Sequence, residues 1–371
     1  MPYINEKNFF ASLAYIAEKV NERLSKILYK PSDEIENLEI SKCYKEILKN
    51  LYSFEYSFIV ERPGKRLRPF ILITVARGNG YKDLESLLQP ACALEIFHNS
   101  TLIHDDIIDR DEIRSGRPTV RKLWSDFYFK RKDFLTKEQK AEEKGDYSAL
   151  NSGDRLLLLP YYLLSISNFR PDQKTEAVRI LASRAQEIAE GQLLDLSFEG
   201  RKDTTLRDVL YMYTKKTGAL FEACALIGLA LSDGKEYQKK ALSKWAREYF
   251  NWRFQIKDDL IENNIDGIKG RPIGSDIRRG KVTPLVIATL EMGNAEERKA
   301  LLKVWGNRRA TEEEIRSAID ATFSSGAVDK LRKMIEEFGE KGKALIEDAC
   351  LEKEYEDLLK DLTEYVGART Y

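Results

Sequence analysis

The segment Leu102-Ile-His-Asp-Asp-Ile-Ile-Asp-Arg-Asp-Glu-Ile-Arg114 gathers acid at the end of an apolar run. On a helix, Asp105 and Asp109 stand four apart and Asp106 and Asp109 three apart, so the three carboxylates share one face. Like charges so placed repel, and nothing in the local sequence neutralises them all. A hard cation with oxygen ligands relieves that repulsion, and magnesium suits a small carboxylate cluster that also meets substrate phosphates. Taken alone, such a short pattern also fits a solvated helix face with a capping role. Against that plainer reading, the aspartates close an apolar helix over 91–108. A second group, Phe254-Gln-Ile-Lys-Asp-Asp-Leu-Ile-Glu262, repeats the geometry with Asp258, Asp259 and Glu262, again after an apolar stretch. Two such clusters can face each other across a helix bundle, where carboxylate metal sites are commonly built.

Basic groups complete the constellation. Lys65, Arg66 and Arg68 lie in a turn, Arg114 follows the first acidic group, Lys216-Thr217 opens an apolar helix, and Lys281 follows Gly274-Ser-Asp-Ile-Arg-Arg-Gly280. Singly, each reads as a surface charge. Converging near magnesium, they suit a polyphosphate, which arginine clamps in bidentate fashion and lysine meets as a point charge.

The elements that must position these residues read as helices. Phe9, Leu13, Ile16, Val20, Leu24 and Ile27 form one apolar stripe at spacings of three and four. The same period predicts helices over 44–60, 69–77, 84–108, 155–167, 174–196, 206–231, 235–261, 283–291, 312–323, 328–338 and 342–362, with no convincing alternating strand. The fold class is all-α, one bundle over residues 1–371 around a central cavity. A highly charged insertion at about 126–152 reads as a solvated surface excursion, with 12 charged residues among 126–146. Its aromatics Phe127, Tyr128, Phe129 and Phe134 leave a partner-contact role open.

Composition removes other classes. Gly at 21 and Pro at 10 of 371 residues are too few for a loop-rich sandwich or a linker array. Sixty-one basic and 61 acidic residues balance, which disfavours a nucleic-acid binder. No stretch is long and apolar enough to span a bilayer, and MPYINEKNFF lacks the pattern of a signal peptide. The four scattered cysteines form no CxxC pair, so the expected compartment is the reducing cytoplasm.

The chain resembles the trans-isoprenyl diphosphate synthases, the polyprenyl synthetase family, of geranylgeranyl or longer-chain type. The matching elements are Gly64-Lys-Arg-Leu-Arg-Pro69, His98, Asp105-Asp-Ile-Ile-Asp109, Arg114 with Gly116-Arg-Pro118, Gly153-Asp154, Lys216-Thr217, Phe254-Gln255, Asp258-Asp-Leu-Ile-Glu262 and Gly274-Ser-Asp-Ile-Arg-Arg-Gly-Lys281. They stand in the family's order and cover roughly residues 50 to 290. The resemblance implies that Asp105, Asp106 and Asp109, with Asp258, Asp259 and Glu262, hold magnesium, three ions in all, on an allylic diphosphate. It implies that Lys216, Lys281 and Arg114 contact that diphosphate, and that Lys65, Arg68 and His98 hold isopentenyl diphosphate. Thr217 and Gln255 would face the carbocation, and the assembly would be a homodimer. His104, beside the aspartates, reads as a supporting side chain, because magnesium prefers oxygen.

Three departures stand out. Ser115 occupies the place of the family's second arginine, which normally helps hold isopentenyl diphosphate; Arg117 and Arg121 are the nearby arginines that could replace it. Glu262 lengthens the last acid of the second motif while keeping its charge. The stretch 126–146 looks inserted. Product length follows from Ser100, five before Asp105, where short-product members place an aromatic floor. Phe97, one turn deeper, is expected to close the tunnel, giving geranylgeranyl to geranylfarnesyl diphosphate; its alternative is plain core packing. Two other functions fit part of the pattern: a class I terpene cyclase, which would not need Lys65, Arg68 and His98, and a weakly active or regulatory subunit of a heteromeric synthase, supported only by Ser115 and the insertion.

Overall fold

A computed structural model describes residues 8–29, 32–62, 64–131, 138–263, 265 and 273–370. Phe134 and Pro63 lie outside the described residues. The chain is all-α, as its periodicity predicts. In order run α1 (Phe9–Leu28), α2 (Ser32–Glu36), α3 (Lys42–Ile59), α4 (Leu67–Gly78), α5 (Leu84–Asp109), a small hairpin of β1 (Ile113–Arg114) and β2 (Arg117–Pro118), α6 (Val120–Lys130), α7 (Glu138–Ser165) and α8 (Pro171–Phe198). Then come α9 (Leu206–Tyr213), a π-turn (Thr214–Gly218), α10 (Ala219–Leu231), α11 (Glu236–Lys244), a second π-turn (Trp245–Phe250) and α12 (Asn251–Glu262). The chain finishes with α13 (Ser275–Arg279), α14 (Pro284–Met292), α15 (Ala295–Val304), α16 (Glu312–Ser324), α17 (Ala327–Asp348) and α18 (Lys353–Ala368). Caps mark the starts: Asn8 accepts from the Phe10 and Ala11 amides, and Thr205/Asp208, Asn294/Glu297 and Thr311/Glu314 form reciprocal boxes.

The helices divide into two compact units, Met1–Ile73 with Lys82–Val178, and Thr74–Tyr81 with Arg179–Tyr371. In the first unit α5 and α7 make the most extensive helix pair. Phe58, Phe70, Ile71, Leu94, Phe97 and Leu156 are fully enclosed there. Two buried charges are also satisfied in this unit. Glu55 takes the Arg155 Nε on both oxygens at 3.1 Å, and Arg66 spends its whole fork on Glu95 (2.7 Å), Asn21 (2.8 Å) and the Ile59 carbonyl (2.7 Å). The charged stretch after residue 126 is largely helical, shared between α6 and α7. Phe127 and Tyr128 pack on Trp124, whose ring meets Phe54 edge-on at 5.1 Å. Phe127 and Tyr128 are thus half-buried against the core of the unit, while Phe129 is exposed.

In the second unit α12 and α14 pack on α17 through Ile256, Leu260, Leu285, Leu331 and Ile335. The sequence pattern broke the C-terminal helices near 339–341. Here α17 runs unbroken to Asp348, and the chain turns at Cys350, whose φ of 49° is left-handed. Gly339 is a site of close approach instead of a stop, because the Arg253 guanidinium occupies the space of its missing side chain. The short helices α2 and α13, and the hairpin β1–β2, are too brief to give a periodic signal, and α15, AEERKALLKV, is too highly charged to show one.

Candidate active site

The first acidic group closes α5. Asp105, Asp106 and Asp109 stand at its C-terminal end, where the helix dipole already disfavours negative charge. Only an opposing cation makes that placement tolerable, and Arg114 supplies one. Its Nε donates to Asp106 Oδ1 at 2.6 Å and its Nη2 lies 3.9 Å from Asp105 Oδ2. Asp106 is 1% exposed. Burial pushes its carboxyl up to about 6, although Arg114 pulls the other way. Arg114 is carried by the β1–β2 hairpin, whose two-residue turn has Ser115 at φ 50° and Gly116 at φ 74°. Two successive positive φ values define a type I′ turn, the geometry that matches strand twist.

His98, one turn-pair before the aspartates, is held neutral. Burial drives its pKa well below the usual imidazole value, and the charges of Arg68 and Arg114 push the same way. An anion bound beside these groups would reverse that push. Lys65 and Arg68 are half-buried at the start of α4, while Arg66 between them turns into the core. Ser100 is fully buried and donates to the Phe97 carbonyl at 2.7 Å; the Phe97 ring, 1% exposed, meets Tyr161 of α7 edge-on at 6.5 Å. His104 Nε2 lies 3.2 Å from Asp154, and its ring fills the space that a side chain at Gly153 would need. The two arginines that could replace a second arginine at 115 are engaged elsewhere: Arg121 with Asp146, and Arg117 with Glu61 at 3.5 Å.

The second acidic group closes α12 in the same way, inside the second unit. Asp259 is buried and accepts from the Tyr213 hydroxyl at 2.7 Å. Burial raises its pKa well above the ordinary carboxylate value; Tyr213 offsets part of this, and Asp276, Asp258 and Glu262 add to it. Asp258 pairs with Arg369 at 2.8 Å, and that guanidinium also lies over the Phe254 ring, 3.8 Å from its centre. Lys216 and Thr217 stand on the first π-turn, a distortion that widens one helical turn and is frequent at functional sites. Lys216 Nζ donates to Asp195 of α8 at 2.6 Å, and Lys281 lies 3.6 Å from the same carboxylate. Burial pushes the Asp195 carboxyl up, yet the two lysines outweigh it and hold it below its ordinary value. The Gln255 amide donates to the Thr217 hydroxyl at 2.5 Å.

Around this turn the packing leaves no slack. A side chain at Gly191 would come within 2.6 Å of Lys216 Cα and 2.8 Å of the Lys215 carbonyl carbon. Behind it Glu222, 2% exposed, accepts from Arg184 (3.1 Å), Arg247 (2.8 Å) and Ser243 (2.6 Å). Sequence reading did not single out Asp195, Tyr213, Asp276 or Arg369 as site residues. Asp276 stood inside a quoted motif, whereas Asp195 and Arg369 are single charges on charged helices and carry no local signal. Among the described residues no three acidic, histidine or cysteine side chains converge closely enough to hold an ion by themselves. Magnesium commonly takes one or two carboxylates and completes its shell with water and substrate phosphate. Both donor sets, all carboxylate oxygen, fit that chemistry.

Two helices, α5 and α12, thus each end in paired aspartates with an arginine beside them. Residues 49–322 match the family described as Polyprenyl synthetase. The chain belongs to that family. It is 34% identical to the geranylgeranyl diphosphate synthase of Methanosarcina mazei over 85% of this chain and 88% of that one. It is 30% identical to the geranylfarnesyl diphosphate synthase of Aeropyrum pernix over 84% and 92% of the two chains. The crystal structure of geranylgeranyl pyrophosphate synthase from Corynebacterium glutamicum, complexed with isoprenyl diphosphate and magnesium, superposes with a TM-score of 0.84 at 25% identity, covering 96% of this chain and 99% of that one. Among the described residues no helix is long and apolar enough to cross a membrane.

Proposed function

We propose that the protein condenses isopentenyl diphosphate with an allylic diphosphate and that its product is geranylgeranyl to geranylfarnesyl diphosphate. The observation that carries this reading is the placing of fixed cations beside both acidic helix ends, Arg114 on Asp106 and Arg369 on Asp258, with Lys216 and Lys281 sharing Asp195 of α8. The reading treats both units as halves of one synthase. Asp105, Asp106, Asp109, Asp258, Asp259 and Glu262 would hold magnesium, in the three-ion arrangement that the resemblance implies. Bound magnesium draws charge from the diphosphate and so assists loss of the leaving group.

Lys216, Lys281 and Arg114 meet the negative charge that grows as the allylic C–O bond breaks and its electron pair leaves with the diphosphate. Charge stabilisation that strengthens along this path lowers the barrier. Lys65, Arg68 and neutral His98 orient isopentenyl diphosphate so that its alkene attacks the allylic carbon. One proton is then lost, with the departed diphosphate as the acceptor. Thr217 and Gln255, locked to each other, present oxygen dipoles toward the cation. Ser100 leaves the chain's path open, and Phe97 with Tyr161 ends it.

The same reading makes the protein a homodimer. Its support is an exposed apolar stripe along and just past α7, at Leu150, Leu158, Tyr162 and Ile166. Exposed apolar stripes of this kind mark association surfaces. The cytoplasm remains the proposed compartment, supported by four described cysteines that form no disulfide with one another.

The test is incubation with magnesium, isopentenyl diphosphate and each allylic primer in turn, with products read by mass spectrometry. A ladder ending at the twenty- or twenty-five-carbon diphosphate is expected. Folded protein that condenses no primer overturns the reading and leaves a regulatory subunit in its place.

A further inference from the structure

The arginine missing at position 115 leaves Arg114 alone on a very small platform. Each strand of its hairpin has two residues, and isolated hairpins far longer than this are marginal in water. Yet Arg114 must hold a defined geometry to meet Asp106. The neighbouring arginines 117 and 121 are committed to Glu61 and Asp146. Arg62, which precedes the Gly64-Lys-Arg-Leu-Arg-Pro69 motif, is not. Its Nη1 donates to the Arg114 carbonyl at 2.9 Å, and its Nη2 donates to the Pro118 carbonyl. Those carbonyls lie on opposite strands, so one guanidinium staples the hairpin. The plane is itself fixed over the Phe58 ring, 4.2 Å from its centre. The Nε is buried with no hydrogen-bond partner, so the group is held there at a desolvation cost.

We propose that Arg62 is the positioning residue that aims Arg114. The inference rests on the reading of Arg114 as a diphosphate-site residue. Only arginine has the fork to span two carbonyls while stacking on a ring; lysine is a point charge.

The test is a double-mutant cycle of Arg62→Ala and Arg114→Ala, with Arg62→Lys beside it. The readouts are kcat and KM for isopentenyl diphosphate and for the allylic primer, together with melting temperature. Expected is a loss of about tenfold to hundredfold in kcat/KM for Arg62→Ala, the scale of an ångström-sized misplacement. That loss should disappear in the Arg114→Ala background, because the two residues act through one geometry. Arg62→Lys should recover little. An equal loss in both backgrounds, or none in either, overturns the proposal while leaving the function intact. If Arg114→Ala alone keeps full activity, the role assigned to Arg114 fails, and this inference with it. Should Arg62→Ala unfold, Arg62→Met keeps a packed stem on Phe58 without the donors, and the same cycle decides.

Discussion

Replacing Gly191 with alanine adds one methyl group at the tightest point of the Lys216 turn. That methyl would lie 2.6 Å from Lys216 Cα and 2.8 Å from the Lys215 carbonyl carbon, where ordinary contact begins at 3.4 Å. Both neighbours are backbone, so no side chain can swing aside. α8 and the π-turn must therefore part by nearly 1 Å. Overpacking of this kind costs about 1–3 kcal/mol. Alanine in a helix interior returns about 1 kcal/mol over glycine. The net loss should be no more than about 2 kcal/mol, a few degrees in melting temperature. The catalytic consequence should be much larger. Lys216 and Asp195, 2.6 Å apart, sit on the two elements that separate. A misplacement of about 1 Å at a reacting centre can cost about a hundredfold. Steady-state condensation kinetics with magnesium and saturating substrates, beside thermal melting, would read both effects. A Gly191→Ala protein with kcat within about twofold of the parent would refute the reasoning, since the turn would then have absorbed the methyl without moving the lysine.

Asp195→Asn removes the carboxylate that two lysines share, leaving Lys216 and Lys281 to repel; kcat/KM for the allylic diphosphate should fall about tenfold or more, and an unchanged value would show that the lysines need no such anchor. Because the lysines hold Asp195 below its ordinary value of 3.8, its contribution to stability is present above that pH and is lost only as pH falls through its still lower folded value. Asp106 carries the opposite sign: its folded pKa of about 6 exceeds 3.8, so the metal-free protein should lose stability as pH rises from about 4 to about 6. Melting curves in chelator read this, and a flat profile across that window would remove the assignment. Phe97→Ala should lengthen the product by at least one isoprene unit, at a stability cost of about 3–5 kcal/mol; an unchanged product distribution in folded protein would assign Phe97 to packing alone.

Much of this site was legible because its chemistry is written in neighbouring residues. Three aspartates at spacings of three and four, closing an apolar helix, announce themselves locally, as does the repeat at Asp258, Asp259 and Glu262. Asp195 could not be found that way, because its meaning comes from two lysines 21 and 86 positions away. Arg369 lies further still from Asp258, and its role follows from where α18 ends. The helices were read from their apolar period, and errors arose where that period is silent. The apolar period gave two helices, 328–338 and 342–362, where α17 is one helix to Asp348. Gly339 within it serves to admit the Arg253 guanidinium closely. The region 206–231 was read as one helix because a π-turn keeps the same residue types and changes only the hydrogen-bond register. Arg62 precedes the basic turn without a local signal of its own; its partners are carbonyl groups, which sequence does not display.

The π-turn under Lys216 has a consequence for how this chain can change. A single extra residue in the ladder is what separates Thr214–Gly218 from ordinary helix. Deleting one residue there would let α9 and α10 fuse into a regular rod with a full set of i to i−4 bonds. Such a deletant is expected to melt higher than its parent. It would also erase the widened turn that carries Lys216 and Thr217, so the two side chains would leave their present positions. Selection for thermal tolerance alone therefore has a short path, one codon long, that ends in a sturdier and silent protein. Only selection for turnover keeps the irregular helix, so the indel record of this one position should be the emptiest in the second unit.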